Sequence, residues 1–347
     1  MTVLVTGGAG YIGTHTCVEL LKSGYKIVVA DNFSNSNPKA LARVKEITGA
    51  DFPFYEMDIC DEAALDKLCT THRPQAVIHF AGLKAVGKSV AEPLSYYQNN
   101  LFSTINIMKA MGKHDIKHMI FSSSATVYSG NNTMPLTEES NTGGCTNPYG
   151  WTKFMCEQII TDAVAASGGK MNAIILRYFN PIGAHESGLI GEDPTGIPNN
   201  LLPFLTQVAA GRHPELPVTG ADYDTPDGTG IRDYLHVTDL ACGHVSAIQY
   251  AGANPGTHVF NLGTGKGISV LEMIHAFQRV NGIEVPHRIV DRRPGDLAIS
   301  YADPAKAQEL MGWRAEKTAD EAYADVWRWQ TMNPQGYGEA NFKGATL

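Results

Sequence analysis

The 347-residue sequence has no Cys-x-x-Cys pair, no apolar run of 18 residues and no excess of basic charge. Its six cysteines, Cys17, Cys60, Cys69, Cys145, Cys156 and Cys242, lack the spacing of a structural zinc site, so free thiols in a reducing compartment are expected. No basic segment followed by an apolar stretch and a cleavage site precedes Val3-Leu4-Val5-Thr6, and together with the missing long apolar run this points to a cytoplasmic protein without a membrane partner. Lys and Arg number 27 against 35 Asp and Glu, a net charge of −8, which argues against a broad nucleic-acid surface. Residues 1 to 180 carry 15 charges of each sign, whereas 181 to 347 carry 12 basic and 20 acidic side chains. An anionic ligand in the second half therefore needs a few well-placed cations rather than a diffuse field. With 43% apolar and 18% charged residues the chain reads as globular, and its 35 Gly and 18 Pro are too few for low complexity.

What is there is an alternation of short apolar runs with helical patterns. Val3 to Val5, Ile27 to Ala30, Ala76 to Phe80, Met119 to Phe121 and Ala173 to Leu176 are continuous in apolar character, as strands covered on both faces are. They predict an α/β fold, a doubly wound parallel (Rossmann) sheet, over 1–180. Pro181, Pro194, Pro198, Pro203, Pro214, Pro217 and Pro226 then break the chain, and 181–347 reads as a second, smaller α/β domain for a substrate. Within it, His258 to Leu262 followed by the helical pattern Val270 to Val280 suggests a part that packs back on the first domain. Trp313, Trp327 and Trp329 read as packing of a terminal helix.

Directly after the first strand comes Gly7-Gly8-Ala9-Gly10-Tyr11-Ile12-Gly13, then a helix that stops near Ser23-Gly24. Glycine at 7, 10 and 13 permits a tight turn, close approach of backbone N–H groups to a pyrophosphate, and helix-on-strand packing. Asp31 ends the second strand, 18 residues after Gly13, where a carboxylate accepts hydrogen bonds from ribose hydroxyls and repels a 2′-phosphate. NAD is therefore the expected cofactor rather than NADP. Asp58, at the end of the third strand, suits either an adenine amino group or a simple turn.

Tyr149 and Lys153 form the only Tyr–Lys pair at i, i+4 in the chain, just after Pro148, a helix-entry residue. Ser122-Ser123-Ser124 closes a predicted parallel strand at the edge where ligands bind in such sheets. A phenol with a pKa of about 10 needs a nearby cation to serve as a base. Lys153 and a positive nicotinamide ring supply it, while Ser124 hydrogen-bonds the reacting oxygen. No metal site is expected: His114 and His118 are at i, i+4 but have no third ligand near them.

Together Gly7 to Gly13, Ser124, Tyr149 and Lys153 resemble the extended short-chain dehydrogenase/reductase family. Within it, Phe80 to Val86, Ser122 to Tyr128, Arg177 to Asn180, Gly191 to Pro194, Pro198 to Leu201 and Gly228 to Tyr234 resemble the UDP-glucose 4-epimerases over essentially the whole chain. The resemblance implies that Tyr149 removes the 4′-hydroxyl proton of a UDP-sugar while hydride passes to retained NAD and returns to the other face of the 4-keto sugar, interconverting UDP-galactose and UDP-glucose. It implies Tyr11, Ile12, Asn32, Asn35, Ser36, Ile59, Phe80, Ala81, Gly82, Lys84, Asn99 and Phe179 as further cofactor contacts. Asn180, Asn200, Leu201, Thr219, Arg232, Arg293, Asp296 and Ser300 are implied for the UDP-sugar, and a homodimer through the helices after Ser89 and Pro148. Ser300 stands where restrictive members carry Tyr, which suggests room for UDP-N-acetylglucosamine and UDP-N-acetylgalactosamine. Thr219 stands where some relatives have an aromatic residue near the uracil. Two rival readings remain: a nucleotide-sugar 4,6-dehydratase, disfavoured because Ala125 and Thr126 occupy the positions of its acid and base, and a non-catalytic sensor of NAD or nucleotide sugar.

Overall fold

In the computed structural model, residues 1–338 are described, with the exception of Ile197 and Pro294. The end of the expected second domain, 339–347, lies outside them. The strands are β1 (Thr2–Thr6), β2 (Lys26–Asp31), β3 (Phe54–Glu56), β4 (Ala76–His79), β5 (His118–Ser124), β6 (Asn172–Tyr178), β7 (Asn180–Ile182), β8 (Leu216–Thr219), β9 (Ile231–Arg232), β10 (Tyr234–His236), β11 (Thr257–Leu262), β12 (Ile268–Ser269), β13 (His287–Val290) and β14 (Ile299–Ser300). The helices are α1 (Tyr11–Lys22), α2 (Pro38–Thr48), α3 (Glu62–His72), α4 (Val86–Ala91), α5 (Pro93–Lys113), α6 (Pro148–Ala166), α7 (Leu201–Ala209), α8 (Val237–Ala253), α9 (Val270–Asn281), α10 (Ala305–Met311) and α11 (Ala319–Met332).

The central sheet is a seven-stranded, all-parallel Rossmann sheet in the order β11-β6-β5-β4-β1-β2-β3. Its apolar strands are buried on both faces because successive side chains point oppositely. Val3 and Val5 join Val18 and Leu20 of α1 and Ile248 of α8 in one core, while Leu4 joins Leu65 of α3, Ile107 of α5 and Ile160 of α6 in the other. The chain order reverses between β1 and β4, and the crevice at that switch point, at the carboxyl ends of the strands, is where ligands bind in such sheets.

Local signals set where the helices begin and end. Pro148 is the first residue of α6, and Asn147 Oδ1 accepts a hydrogen bond from Gly150 N at 2.9 Å. Ser269 and Glu272 form a capping box on α9, which ends at Gly282 in the left-handed conformation.

The second half divides its elements between two places. As the spacing suggests, β11 joins the main sheet beside β6, with Phe260 paired to Leu176. The helix that follows it does not go along: α9 packs Met273, Ile274 and Phe277 with Leu205 of α7 and Val326 of α11 in a separate core. The helix covering the sheet is α8, which precedes β11 and packs against α1. Among the described residues the remaining strands form three small sheets, β10 with β7, β12-β9-β14, and β13 with β8. Trp327 and Trp329 lie on α11 as expected; Trp313 precedes that helix, shares a core with Trp329, and its Nε1 donates to Asp239 O of α8 at 2.9 Å.

Candidate active site

The hydroxyl cluster and the Tyr–Lys pair meet at the end of β5. Ser124 Oγ accepts from Thr126 N at 3.2 Å and from Thr126 Oγ1 at 3.0 Å, which starts the short 3-10 turn Ala125–Val127. From the first turn of α6 the Tyr149 phenol reaches Ser124 as its hydrogen-bond partner. One turn on, Lys153 Nζ donates to Ser122 O at 2.7 Å and lies 5.9 Å from the centre of the Tyr149 ring.

Burial dominates the electrostatics of the pair. Burial pushes the Tyr149 phenol up to about 12 in the chain alone, with the Ser124 hydrogen bond opposing it; the expected lowering involved Lys153 together with a positive nicotinamide ring. Burial likewise lowers Lys153 to about 8.

Beneath this pair lie groups that sequence reasoning missed. Glu157 of α6 and Arg177 of β6 form a buried ion pair at 2.7 Å, and Ser123 Oγ donates to the same carboxylate. Asn100 of α5 accepts from Leu83 N at 2.8 Å and donates to Thr152 Oγ1 at 3.0 Å, pinning the segment after β4 to α6. The expected residue, Asn99, is half-buried, and its carbonyl accepts from Cys60 Sγ at 3.6 Å. The signal for Asn100 was its place on the buried stripe Tyr96, Asn100, Ser103, Ile107 of α5. Asp233 was missed too: its carboxylate accepts from Thr264 N, Gly265 N and Ala302 N, tying β9 and β10 to the segments after β11 and β14.

At the switch point, a Cβ at Gly7 would stand 2.6 Å from Ala81 N, and one at Gly13 2.5 Å from Gly7 O, so both positions exclude any side chain. Gly10 is the N-cap of α1 and offers no capping oxygen, leaving the first N–H groups of that helix available to an anion. Asp31 Oδ2 accepts from Ala9 N at 2.9 Å and Oδ1 from Phe33 N at 2.9 Å and Ser36 Oγ at 2.8 Å. The carboxylate therefore joins the glycine turn to the turn after β2, with lone pairs left for ribose. These features fit a dinucleotide pyrophosphate with an unphosphorylated ribose.

Other expected contacts are placed with varying directness. Tyr11 donates to Gly183 O at 2.7 Å, Ile12 packs against the core of β1, and Phe80 lies 4.7 Å from the His244 ring. Ala81 is half-buried, whereas Gly82, Asn32 and Asn35 are exposed. Asp58 is exposed two residues beyond the end of β3 and holds a turn by accepting from Cys60 N at 2.8 Å, while Ile59 is buried. Phe179 is packed with Val127 and Tyr128 beneath the catalytic turn. His114 bonds Asp66, His118 begins β5, and no group able to hold a metal ion occurs among the described residues.

On the substrate side, Arg232 of β9 is in register with Ser300 of β14, so the two residues are neighbours. Arg232 Nη1 donates to Ile231 O at 2.8 Å, and among the described residues neither Arg232 nor Arg293 has an ion-pair partner. The adjacent Arg292 differs: its Nε donates to Asp222 at 2.6 Å. Asn180 is exposed on β7, Asn200 and Leu201 begin α7, Thr219 ends β8, and Asp296 is exposed before β14. Lys84 and Asn200 share one partner, the carboxylate of Glu192.

In a urea-unfolding comparison of the cofactor-free proteins at pH 7, Lys153→Met is expected to be more stable than the parent by up to about 3 kcal/mol, because it removes a buried charge. The folded pKa lies below the unfolded value of 10.5, so the penalty is fully present below about pH 8 and shrinks as the folded chain loses its proton first. The gap must therefore narrow from about pH 8 toward 10.5; a gap constant with pH overturns this account.

Comparison with known proteins agrees with the geometry. Residues 3–263 match the model of the NAD dependent epimerase/dehydratase family. The chain is 57% identical to the UDP-glucose 4-epimerase of Bacillus subtilis (strain 168), over 98% of this chain and 100% of that one, and 54% identical to that of Homo sapiens, over 97% and 98%. The crystal structure of UDP-glucose 4-epimerase from Bifidobacterium longum in complex with NAD+ and UDP superposes with a TM-score of 0.94 at 54% identity, covering 97% of this chain and 100% of that one. With the glycine turn, Ser124, Tyr149 and Lys153 in these positions, the chain belongs to the NAD dependent epimerase/dehydratase family.

Proposed function

We propose that the chain interconverts UDP-galactose and UDP-glucose at C4′ through a 4-keto sugar, and that the site residues named above carry the reaction. The observation that carries this reading is the half-buried Tyr149–Ser124 pair beside the buried Lys153, on β5 and α6, one strand away from β4 and two from the glycine turn of β1. Bound NAD supplies a reversible hydride acceptor. Tyr149 takes the 4′-hydroxyl proton as hydride leaves C4′, and gives it back when hydride returns to the opposite face. Ser124 orients the reacting oxygen between these events. Lys153, held on the Ser122 carbonyl, places a positive charge beside the phenol, and the positive nicotinamide adds the second charge that the raised Tyr149 pKa calls for.

Arg232 and Arg293, free of carboxylate partners among the described residues, are suited to the diphosphate of a UDP-sugar. Dehydration is not favoured: Ala125 has no ionisable group, and Thr126 spends its hydroxyl on Ser124. The division 1–180 and 181–347 stands as a functional one, cofactor against substrate, although β11 and α8 of the second part complete the first. Six free cysteines fit a cytoplasmic setting.

Incubation with UDP-galactose should yield UDP-glucose, and Tyr149→Phe should lower kcat by about 10²-fold or more while NAD content stays at the parent's level. A 4-keto-6-deoxy product instead would establish the dehydratase, and unchanged function in the mutant the sensor.

Ser300, in register with Arg232, carries a small side chain where a tyrosine would place a ring, which supports turnover of N-acetylated UDP-hexosamines as well. Ser300→Tyr is expected to lower kcat/KM for the acetylated sugars by at least about tenfold and to spare UDP-galactose, since a clash costs 1–3 kcal/mol or more. Equal loss on both sugars would count against the space argument.

Val90 of α4, Leu94 and Phe102 of α5 and Met155 of α6 are exposed apolar residues, which supports a homodimer through these helices. Light scattering should find a dimer for the parent and a monomer for Leu94→Glu/Phe102→Glu; a parent monomer at micromolar concentration ends this proposal.

A further inference from the structure

Glu192 joins two walls that the proposed reaction needs on either side of its ligands. Its Oε1 accepts from Lys84 Nζ at 3.2 Å and from Asn200 Nδ2 at 2.7 Å. Lys84 follows β4 at the carboxyl edge of the main sheet, and Asn200 starts α7 in the other core. The Glu192 side chain is only 7% exposed while that of Lys84 is 53% exposed, so the carboxylate is held inside and the lysine reaches in to it. Its charge also acts on Tyr11, the first residue of α1.

Glu192 is held from behind. Trp329 Nε1 donates to its carbonyl at 3.2 Å, Tyr337 N donates to Asp193 Oδ2 at 2.9 Å, and the Tyr337 hydroxyl donates to Gly191 O at 3.2 Å. A Cβ on Gly191 would lie 2.5 Å from the Trp329 ring, so the backbone is pressed against that ring. The segment from Gly183 to Asp193 is further tied to the cofactor side by Tyr11 on Gly183 O at 2.7 Å and Arg43 of α2 on Leu189 O at 2.7 Å. It thus runs along α1 at Tyr11 and His15, the helix that the glycine turn leads into. Of these ties, the Glu192 carboxylate alone spans from Lys84 to the wall that carries Asn200.

We infer that Glu192 is a retention latch: through Lys84 and Asn200 it holds the segment Gly183 to Asp193 closed along α1, the helix after the glycine turn, and sets how slowly a bound dinucleotide leaves. This is a positioning role, since Glu192 need not touch the reacting atoms, and it rests on the reading that NAD lies on that turn. A carboxylate accepting two hydrogen bonds, one from a cation, is the kind of contact whose loss opens a segment without unfolding the chain.

The test is the rate at which NAD leaves the loaded protein, followed by rapid filtration and quantitation of free NAD. Glu192→Ala should release it about tenfold faster than the parent, as expected for loss of charge-assisted hydrogen bonds, and Glu192→Gln, which keeps the volume, by an intermediate factor. Asn200→Ala, at an exposed site on the far wall, should speed release severalfold. The double variant should be no faster than Glu192→Ala alone, because both remove one contact. A residue with a merely structural role would instead lower the urea midpoint of the cofactor-free protein and show no such coupling. Equal release rates for parent and Glu192→Ala, or independent factors that multiply in the double variant, overturn the latch. A parent that takes up no NAD overturns the cofactor reading beneath it, an outcome visible before any variant is compared.

Discussion

The ion pair of Glu157 with Arg177 is the constraint on which the site depends. Glu157 lies one turn beyond Lys153 on α6, Arg177 lies on β6, and Ser123 of β5 bonds the same carboxylate. Two strands and one helix are thereby held in a single relative position, and Ser124, Tyr149 and Lys153 are projected from two of them. A buried pair of this kind contributes little net stability against an apolar replacement, yet losing one partner costs about 3–5 kcal/mol because the other charge is stranded. Its value here is geometric: it fixes the distance between a hydroxyl on β5 and a phenol on α6. Asn100 does the same on the other flank, where its amide bridges α5, the segment after β4 and α6.

Burial that gives this geometry also sets the chemistry in tension. A desolvated phenol resists ionisation, and a desolvated lysine resists its proton. In the chain alone, burial therefore disfavours the ionised phenol and the charged lysine alike.

Charge is handled differently in the two halves. At the glycine turn, a glycine N-cap leaves the N–H groups of α1 open, and the Asp31 carboxylate is bound to the turn through Ala9 N. The second half carries the net negative charge and nevertheless suits a diphosphate, because Arg232 and Arg293 are left without carboxylate partners among the described residues while neighbouring arginines such as Arg292 are neutralised. Net charge thus excludes a diffuse anionic partner without excluding a small one.

By itself the sequence determined those features that act over a few residues. Continuous apolar runs specify strands covered on both faces, Gly7 to Gly13 specifies a turn that only glycine can make, and the i, i+4 spacing of Tyr149 and Lys153 places both on one helix face. Those local rules were enough for the Rossmann sheet and the cofactor class. Tertiary structure decided whatever depends on segments far apart in the chain. Asn100 rather than its neighbour Asn99 turned inward because the helix phase set by Tyr96 and Ile107 faces the core. Helix α8 covers the sheet while α9 does not, since α9 finds its apolar partners on α7 and α11. Glu192 became a shared partner of Lys84 and Asn200, residues more than one hundred positions apart in one case. Even the direction of the Tyr149 shift was a tertiary outcome: spacing shows that a lysine is near, but only packing decides whether desolvation or that lysine prevails.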